Sequence, residues 1–396
     1  MNSQSNSASL PEKVASILRE VVGSGSSISL HEPSFAGNEW NYVKDCLDTG
    51  WVSSVGSYVD RFEQMLAEFT GCKHAVVVVN GTAALHVSLL LAGVTEKTEV
   101  LIPTLTFIAT ANAVSYCGAI PHFVDSSEKT LGICPEKLSE YLTQIAEVRD
   151  GRCVNRRTGR IISALMPMHT FGHPVDLDEL MAIGQRFCIP VVEDAAESLG
   201  SYYKQRHTGN FGLLAALSFN GNKVVTTGGG GAILTNDSDL AARAKHITTT
   251  ARVRHRWEFI HDQIGFNYRL PNLNAALGCA QLERLPEALS LKRALAGAYR
   301  EAFSGMAGLR FFEEPADACS NYWLNCILLD HDRISEKDSI LELTNNRGLA
   351  TRPLWTLMHY LPMYSACPRM DLSIAGDLAL RVINIPSSPF LGKRYA

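Results

Sequence analysis

The stretch Ala215-Ala216-Leu217-Ser218-Phe219-Asn220-Gly221-Asn222-Lys223-Val224-Val225-Thr226-Thr227-Gly228-Gly229-Gly230-Gly231 organises this chain. Its short apolar run reads as a buried strand. The run stops at a polar elbow that presents one lysine, Lys223, and a glycine-rich turn follows. A desolvated ammonium gives up its proton more readily and becomes a nucleophile. The same residues also fit an ordinary strand-turn-strand with a lysine at its tip, so the rest of the chain decides.

The 396 residues are 46% hydrophobic and 19% charged, the balance of a globular chain with a large core. That length allows two or three domains, or one large domain with a smaller appendage. A net charge of −4 and a pI near 6.3 make no electrostatic case for nucleic acid or an anionic membrane. The ten cysteines form no CxxC, so zinc ribbons and redox motifs lack support. With no disulfide-like framework and no signal peptide, the expected compartment is the cytoplasm. No apolar run approaches the ~20 residues needed to span a bilayer. Met1–Ser9 is polar, rich in Ser and Asn, and reads as disordered.

In chain order, Pro11–Val22 has helical spacing, with Val14, Ile17, Leu18 and Val21 on one face. Gly37–Gly50 reads as a second helix with Trp40, Val43 and Leu47 turned inward. Trp51 lies in the loop that follows. Ala75–Val79 is an unbroken β-branched run, as in a strand covered on both faces. Asn80-Gly81-Thr82-Ala83-Ala84 then opens an Ala/Leu-rich helix. Its free N–H groups and dipole suit a phosphate, although Thr82 could equally be a plain N-cap. Glu99–Ile102 is the next strand, stopped by Pro103, and Thr104-Leu105-Thr106-Phe107 turns into a helix. Ile120–Asp125 and Ile161–Met166 are further strands. Between them, residues 150–160 read as a basic, exposed hairpin tip without aromatics. His169 and His173 mimic a helical metal pair, but Gly172 and Pro174 argue against a helix there. Ile189–Val192 ends in Glu193-Asp194, and Asp194 stands at a strand's carboxyl end, where ligands bind in open α/β sheets.

Strand and helix alternate repeatedly, which implies a mostly parallel sheet with helices on both faces. Four features fall at strand ends: the Gly81-Thr82 turn, Phe107, Asp194 and Lys223. Pyridoxal phosphate needs this set. The lysine forms a Schiff base, the acid keeps the pyridine nitrogen protonated, the turn takes the phosphate and the aromatic covers the ring.

These residues carry a resemblance. Asn80-Gly81-Thr82-Ala83-Ala84-Leu85, Pro103-Thr104-Leu105-Thr106-Phe107, Val192 to Gly200, Ser218 to Lys223 and Gly265-Phe266-Asn267-Tyr268-Arg269 resemble the DegT/DnrJ/EryC1/StrS family of sugar aminotransferases. The match runs from about Leu30 to the C-terminus. It implies an aspartate aminotransferase-like (type I PLP) α/β fold. A large domain with a mostly parallel, seven-stranded-type sheet would span 29–285. A smaller α+β domain would span 286–396, and 1–28 would be a tail and extra helix. Leu30-His31-Glu32-Pro33, Asn38-Glu39-Trp40 and Gly50-Trp51-Val52-Ser53-Ser54 look most like the LegC-type branch, which aminates a nucleotide-linked 4-keto-6-deoxy-N-acetylhexosamine, UDP-linked by expectation.

The resemblance implies roles. Lys223 is the Schiff-base lysine and proton carrier, and Asp194 pairs with the pyridine nitrogen. Gly81, Thr82, Ala83 and Ser218 hold the phosphate, and Phe107 stacks on the ring. Asn267, with Arg269 near it, reaches across from a second subunit, so a homodimer with shared active sites is expected. Glu197 falls near the ring hydroxyl, where a carboxylate is unfavourable beside a phenolate unless protonated or held away. Trp51, Thr106, Arg269, Arg352 and His359 are candidates for the sugar side, with Trp355 beside them. The run Arg252–Trp257 fits either a nucleotide diphosphate or an interface loop. L-glutamate is the implied amino donor, and no metal is implied.

Three other readings compete. A GDP- or dTDP-linked, or 3-keto, sugar fits the same site. A sugar 3-dehydrase resembles the fold but carries His where this chain has Lys223. A non-catalytic pyridoxal phosphate regulator would bind without turnover.

Overall fold

The computed structural model describes residues 9–396. The expectation of a disordered start therefore lies outside the described residues for positions 1–8. Among the described residues, seven strands form a central sheet, and the hairpin Ala146–Arg149/Arg152–Asn155 adds to its Ile161–Leu165 strand antiparallel. The spatial order of the seven is Ile120–Val124, Glu99–Pro103, Ile161–Leu165, Val192–Asp194, Leu214–Ser218, Gly231–Thr235, His74–Val78. Parallel bridges Leu165–Val191 and Met168–Asp194 join its two halves. Of the seven, Gly231–Thr235 alone runs antiparallel to both neighbours. The expected mostly parallel, seven-stranded α/β architecture is the one observed.

The strands alternate their burial between two cores, as a period of two requires. Val76 and Val78 join Leu85, Val100, Ile102, Ala216 and Ile233 on one face. Ala75 and Val77 join Phe62, Leu217, Phe219 and Leu234 on the other. Helix Gly81–Leu91 is buried almost all round, which explains its unbroken apolar sequence.

The smaller sheet orders Leu309–Phe311, Asn325–Leu329, Val382–Ile385 and Arg352–Pro353, all antiparallel. The first helix, Leu10–Val22, packs its Leu10, Val14, Leu18 and Val21 face against this sheet and against the long helix Leu285–Ala302.

Two local expectations fail. Helix Glu39–Thr49 buries Glu39 and Cys46, while Trp40 and Leu47 are 76% and 60% exposed. Glu39 Oε1 accepts from Gln281 Nε2 at 2.7 Å, which turns the apolar stripe outward. The cap at Gly81-Thr82 is Asn80, whose Oδ1 accepts from Ala83 N–H at 2.8 Å. The 150–160 segment does form a hairpin, turning on Asp150 and Gly151 at φ 51° and 71°. Its base is tied down, since Asn155 and Thr158 donate to buried Glu99 at 2.8 and 2.7 Å.

Candidate active site

Five parallel strands end on one cavity of about 380 Å³. Asn80, Gly81 and Thr82 come from the end of His74–Val78, Phe107 and Thr110 from Glu99–Pro103, and Met168 from Ile161–Leu165. Asp194, Ala196 and Glu197 follow Val192–Asp194, and Ser218, Asn220, Asn222 and Lys223 follow Leu214–Ser218. Trp323 and Trp355, which flank strands of the smaller sheet, close it. The placement at the carboxyl ends of the strands is the one that open α/β sheets use for ligands.

The phosphate turn is pressed against its neighbours. A Cβ on Gly81 would stand 2.8 Å from Ser218 Cβ, and one on Gly231 would stand 2.6 Å from the Asn80 carbonyl. Only glycine lets the antiparallel strand and the turn approach this closely. The turn presents the N–H groups of a helix start beside the Thr82 and Ser218 hydroxyls.

Asp194 is buried. Its Oδ2 accepts from Thr110 Oγ1 at 2.7 Å and its Oδ1 from Ala196 N–H at 3.2 Å. Burial holds its carboxyl above the usual range, against these hydrogen bonds and the Lys223 charge. Neighbouring Glu193 points the other way and accepts from the Gly209, Phe211 and Gly212 N–H groups at 2.7 Å each. His169 Nε2 meets it at 3.1 Å. These bonds lock the strand end that carries Asp194. His169 is thus spent on a carboxylate. His173 packs between the Phe312 and Tyr322 rings. No cluster of metal ligands occurs among the described residues.

Lys223 Nζ lies 3.1 Å from Glu197 Oε1 and 3.7 Å from the centre of the Trp323 ring. Trp323 in turn donates its indole N–H to the Asn222 carbonyl at 2.7 Å. Burial pushes the Glu197 carboxyl up to about 7, against the opposing pull of Lys223. Behind Trp323, Lys292 is fully buried and donates to the Ser387 and Trp323 carbonyls at 2.7 and 3.2 Å. Burial drives its pKa well down.

The cavity thus collects Gly81, Thr82, Phe107, Asp194, Glu197, Ser218 and Lys223. It also includes Trp355, but not the remaining candidates. Ala83 spends its N–H on Asn80. Thr106 is fully buried, 2.6 Å from Thr110 Oγ1, so it backs the Asp194 partner instead of facing a sugar. His359 Nδ1 meets Thr104 Oγ1 at 2.7 Å, and Arg352 donates to Asn345 Oδ1 at 2.8 Å on an exposed strand. Trp51 is 59% exposed, so it does not pack in this chain. Asn267 is exposed, and Arg269 lines a separate recess with Ser54, Val55 and Lys245. The Arg252–Val253 strand pairs with Ile260–His261 in an exposed hairpin outside the cavity. Thr110, Met168 and Trp323 are additions from the structure. Trp323 carried no local signal, because it sits about a hundred residues from Lys223, just before the strand Asn325–Leu329 of the smaller sheet.

The donor set fits pyridoxal phosphate: a phosphate turn, a buried acid, an exposed-edge aromatic and a lysine on one cavity. Family comparison agrees. Residues 33–395 match the DegT/DnrJ/EryC1/StrS aminotransferase family, and the chain belongs to it. It is 37% identical over 364 residues to the GDP-perosamine synthase of Escherichia coli O157:H7, covering 92% of this chain and 94% of that protein. It is 35% identical to the GDP-perosamine synthase of Caulobacter vibrioides, covering 91% and 93%. The crystal structure of the aminotransferase TlmJ from Streptoalloteichus hindustanus superposes with a TM-score of 0.82 at 27% identity, covering 91% and 93%. The chain is a sugar aminotransferase of the pyridoxal phosphate-dependent kind. No helix among the described residues is long and apolar enough to cross a membrane.

Proposed function

We propose that this enzyme moves an amino group from L-glutamate to the keto carbon of a GDP-linked 4-keto-6-deoxy sugar. The observation that supports the nucleotide is the similarity to GDP-perosamine synthases over more than nine-tenths of the chain. It replaces the UDP-linked N-acetylhexosamine implied by the LegC-type likeness of three short segments. Those segments contribute Trp40 and Trp51, which lie outside the cavity.

Bound in the cavity, pyridoxal phosphate supplies an aldehyde carbon that exchanges amino groups and a pyridinium ring that acts as an electron sink. In this reading Gly81, Thr82 and Ser218 bind the phosphate. Asp194, fixed by Thr110 and Ala196, holds the ring nitrogen's proton. Phe107 covers one ring face, and Trp355, 6.1 Å from it, narrows the mouth against water. Lys223 Nζ takes a proton from the reacting substrate carbon and returns it, a role worth typically ~10²–10⁴-fold.

The active unit in this reading is a homodimer. The outward stripe of Trp40 and Leu47 would pack against a second copy, and Asn267 of that copy would reach the phosphate end of the site. Free cysteines throughout suit a reducing cytoplasm. A glutamate-dependent assay on GDP-, UDP- and dTDP-linked keto sugars tests the substrate. Amine product from the GDP-linked 4-keto sugar alone is the expected result, and preference for a UDP-linked sugar would overturn it. Light scattering of Trp40→Glu tests the dimer: it should halve the mass, and an unchanged mass would remove that face from the interface.

A further inference from the structure

Glu197 is a carboxyl group in a place where a pyridoxal phosphate site has no evident use for a negative charge. It is buried, and its two oxygens have different partners. Oε2 accepts the Phe171 N–H at 2.9 Å, while Oε1 faces Lys223 Nζ at 3.1 Å. The Phe171 backbone is left-handed at φ 57°, a conformation that a bulky residue rarely adopts. Gly172 beside it has φ 93°, and a Cβ there would stand 1.9 Å from Asn321 Oδ1. A strained turn is therefore kept, and it aims one N–H at one oxygen. With Oε2 occupied by that donor, a proton on Glu197 belongs on Oε1, the oxygen that faces the lysine.

Among the described residues, Lys223 Nζ has no second hydrogen-bond acceptor. The Trp323 ring covers one side. His31 and Lys292 lie behind the elbow, and burial disfavours charge on both. Asp194 is the other carboxyl acting on Glu197, and it favours the protonated form.

We propose that Glu197 is the proton partner of Lys223 during cofactor capture. The Nζ–H bond breaks, an O–H bond forms at Glu197 Oε1, and the nitrogen's electron pair becomes free to attack the cofactor's carbonyl carbon, whose oxygen would leave as water with the two protons left on Nζ. An ion pair becomes an amine and a carboxylic acid, so charge and protons balance within the site. The neutral acid then spares the ring phenolate the repulsion of an adjacent carboxylate. A Glu197 carboxyl that titrates near 7 can exchange this proton at neutral pH. The proposal rests on pyridoxal phosphate occupying this cavity.

Difference infrared spectroscopy of cofactor-free protein against protein loaded with pyridoxal phosphate tests it, at about pH 8, where the free carboxyl is ionised. Glutamate labelled with carbon-13 identifies the signal. A carboxylic-acid C=O stretch should appear on loading and shift with the label. It should be missing in Glu197→Gln, and in Glu197→Asp the label should no longer report it. A visible cofactor band without the new stretch would overturn the proposal, since Glu197 would then stay ionised. A stretch already present before loading would overturn it too, since a neutral Glu197 cannot accept the lysine's proton. Wild-type protein that forms no visible band at all would bring down the cofactor placement beneath it, which separates the two failures.

Discussion

Trp323 turns its ring face to Lys223 Nζ at 3.7 Å while its indole N–H donates to the Asn222 carbonyl at 2.7 Å. One side chain beside the smaller sheet thus holds the reactive nitrogen and the elbow that carries it. Trp323→Phe keeps a ring and loses the hydrogen bond, about 1 kcal/mol, or roughly fivefold in cofactor affinity. Titration of the cofactor-free protein in the visible band measures this. Binding as tight as wild type would show that the elbow needs no such support.

Asp194 depends on Thr110, which donates to it at 2.7 Å and is itself backed by Thr106. Thr110→Val removes a hydrogen bond to a charged group, worth about 1.5–3 kcal/mol. The bond holds the Asp194 pKa down, so its loss moves the carboxyl further up. The pH at which the cofactor-loaded enzyme loses activity on the acid side should therefore rise in the variant. An unchanged acid limb would mean that Asp194 is held by its other contacts.

Gly231 allows the antiparallel strand to pass under the phosphate turn. Gly231→Ala puts a methyl group 2.6 Å from the Asn80 carbonyl and 2.7 Å from Gly81 N. The turn must shift, at a typical overpacking cost of about 1–3 kcal/mol. Thermal unfolding should show the loss, and pyridoxal phosphate should rescue less of it than in wild type. Unaltered stability and rescue would mean the turn has slack.

The strand-end motifs were legible because each is local: a run of apolar residues, then a turn with one functional side chain. Lys223, Asp194, Phe107, Ser218 and Gly81-Thr82 all meet in one cavity for that reason. Residues brought in by packing of the smaller sheet against the larger one were not legible. Trp323 looks like any strand aromatic until the smaller sheet is docked. The stripe of Trp40, Val43 and Leu47 was visible as a stripe, but spacing cannot say whether its partner is this chain's core or another surface. Thr106 is expected on the sugar side from the resemblance, but it is fully buried and turned to Thr110.

Glu197 also makes a prediction for the cofactor-free protein. Its folded pKa is raised from 4.5 to about 7. A raised carboxyl contributes stability that is present below the unfolded value and lost as pH climbs through the folded one. Glu197→Gln lacks this titration. Between pH 4.5 and about 7, wild type should lose about 3 kcal/mol relative to the variant. Denaturant unfolding of both proteins across that window checks the sign. A difference that does not change with pH would place Glu197 in an ordinary solvated setting.

The central claim is that Lys223 is the nitrogen that joins the cofactor. The chain holds a second buried amine, Lys292, whose charge burial disfavours. Borohydride reduction of the loaded enzyme, followed by peptide mass spectrometry, distinguishes the two. The pyridoxyl mass should sit on the peptide containing Lys223 alone, and Lys223→Ala should take up none and lose turnover. The mass on Lys292, or Lys223→Ala turning over at the wild-type rate, would contradict the account.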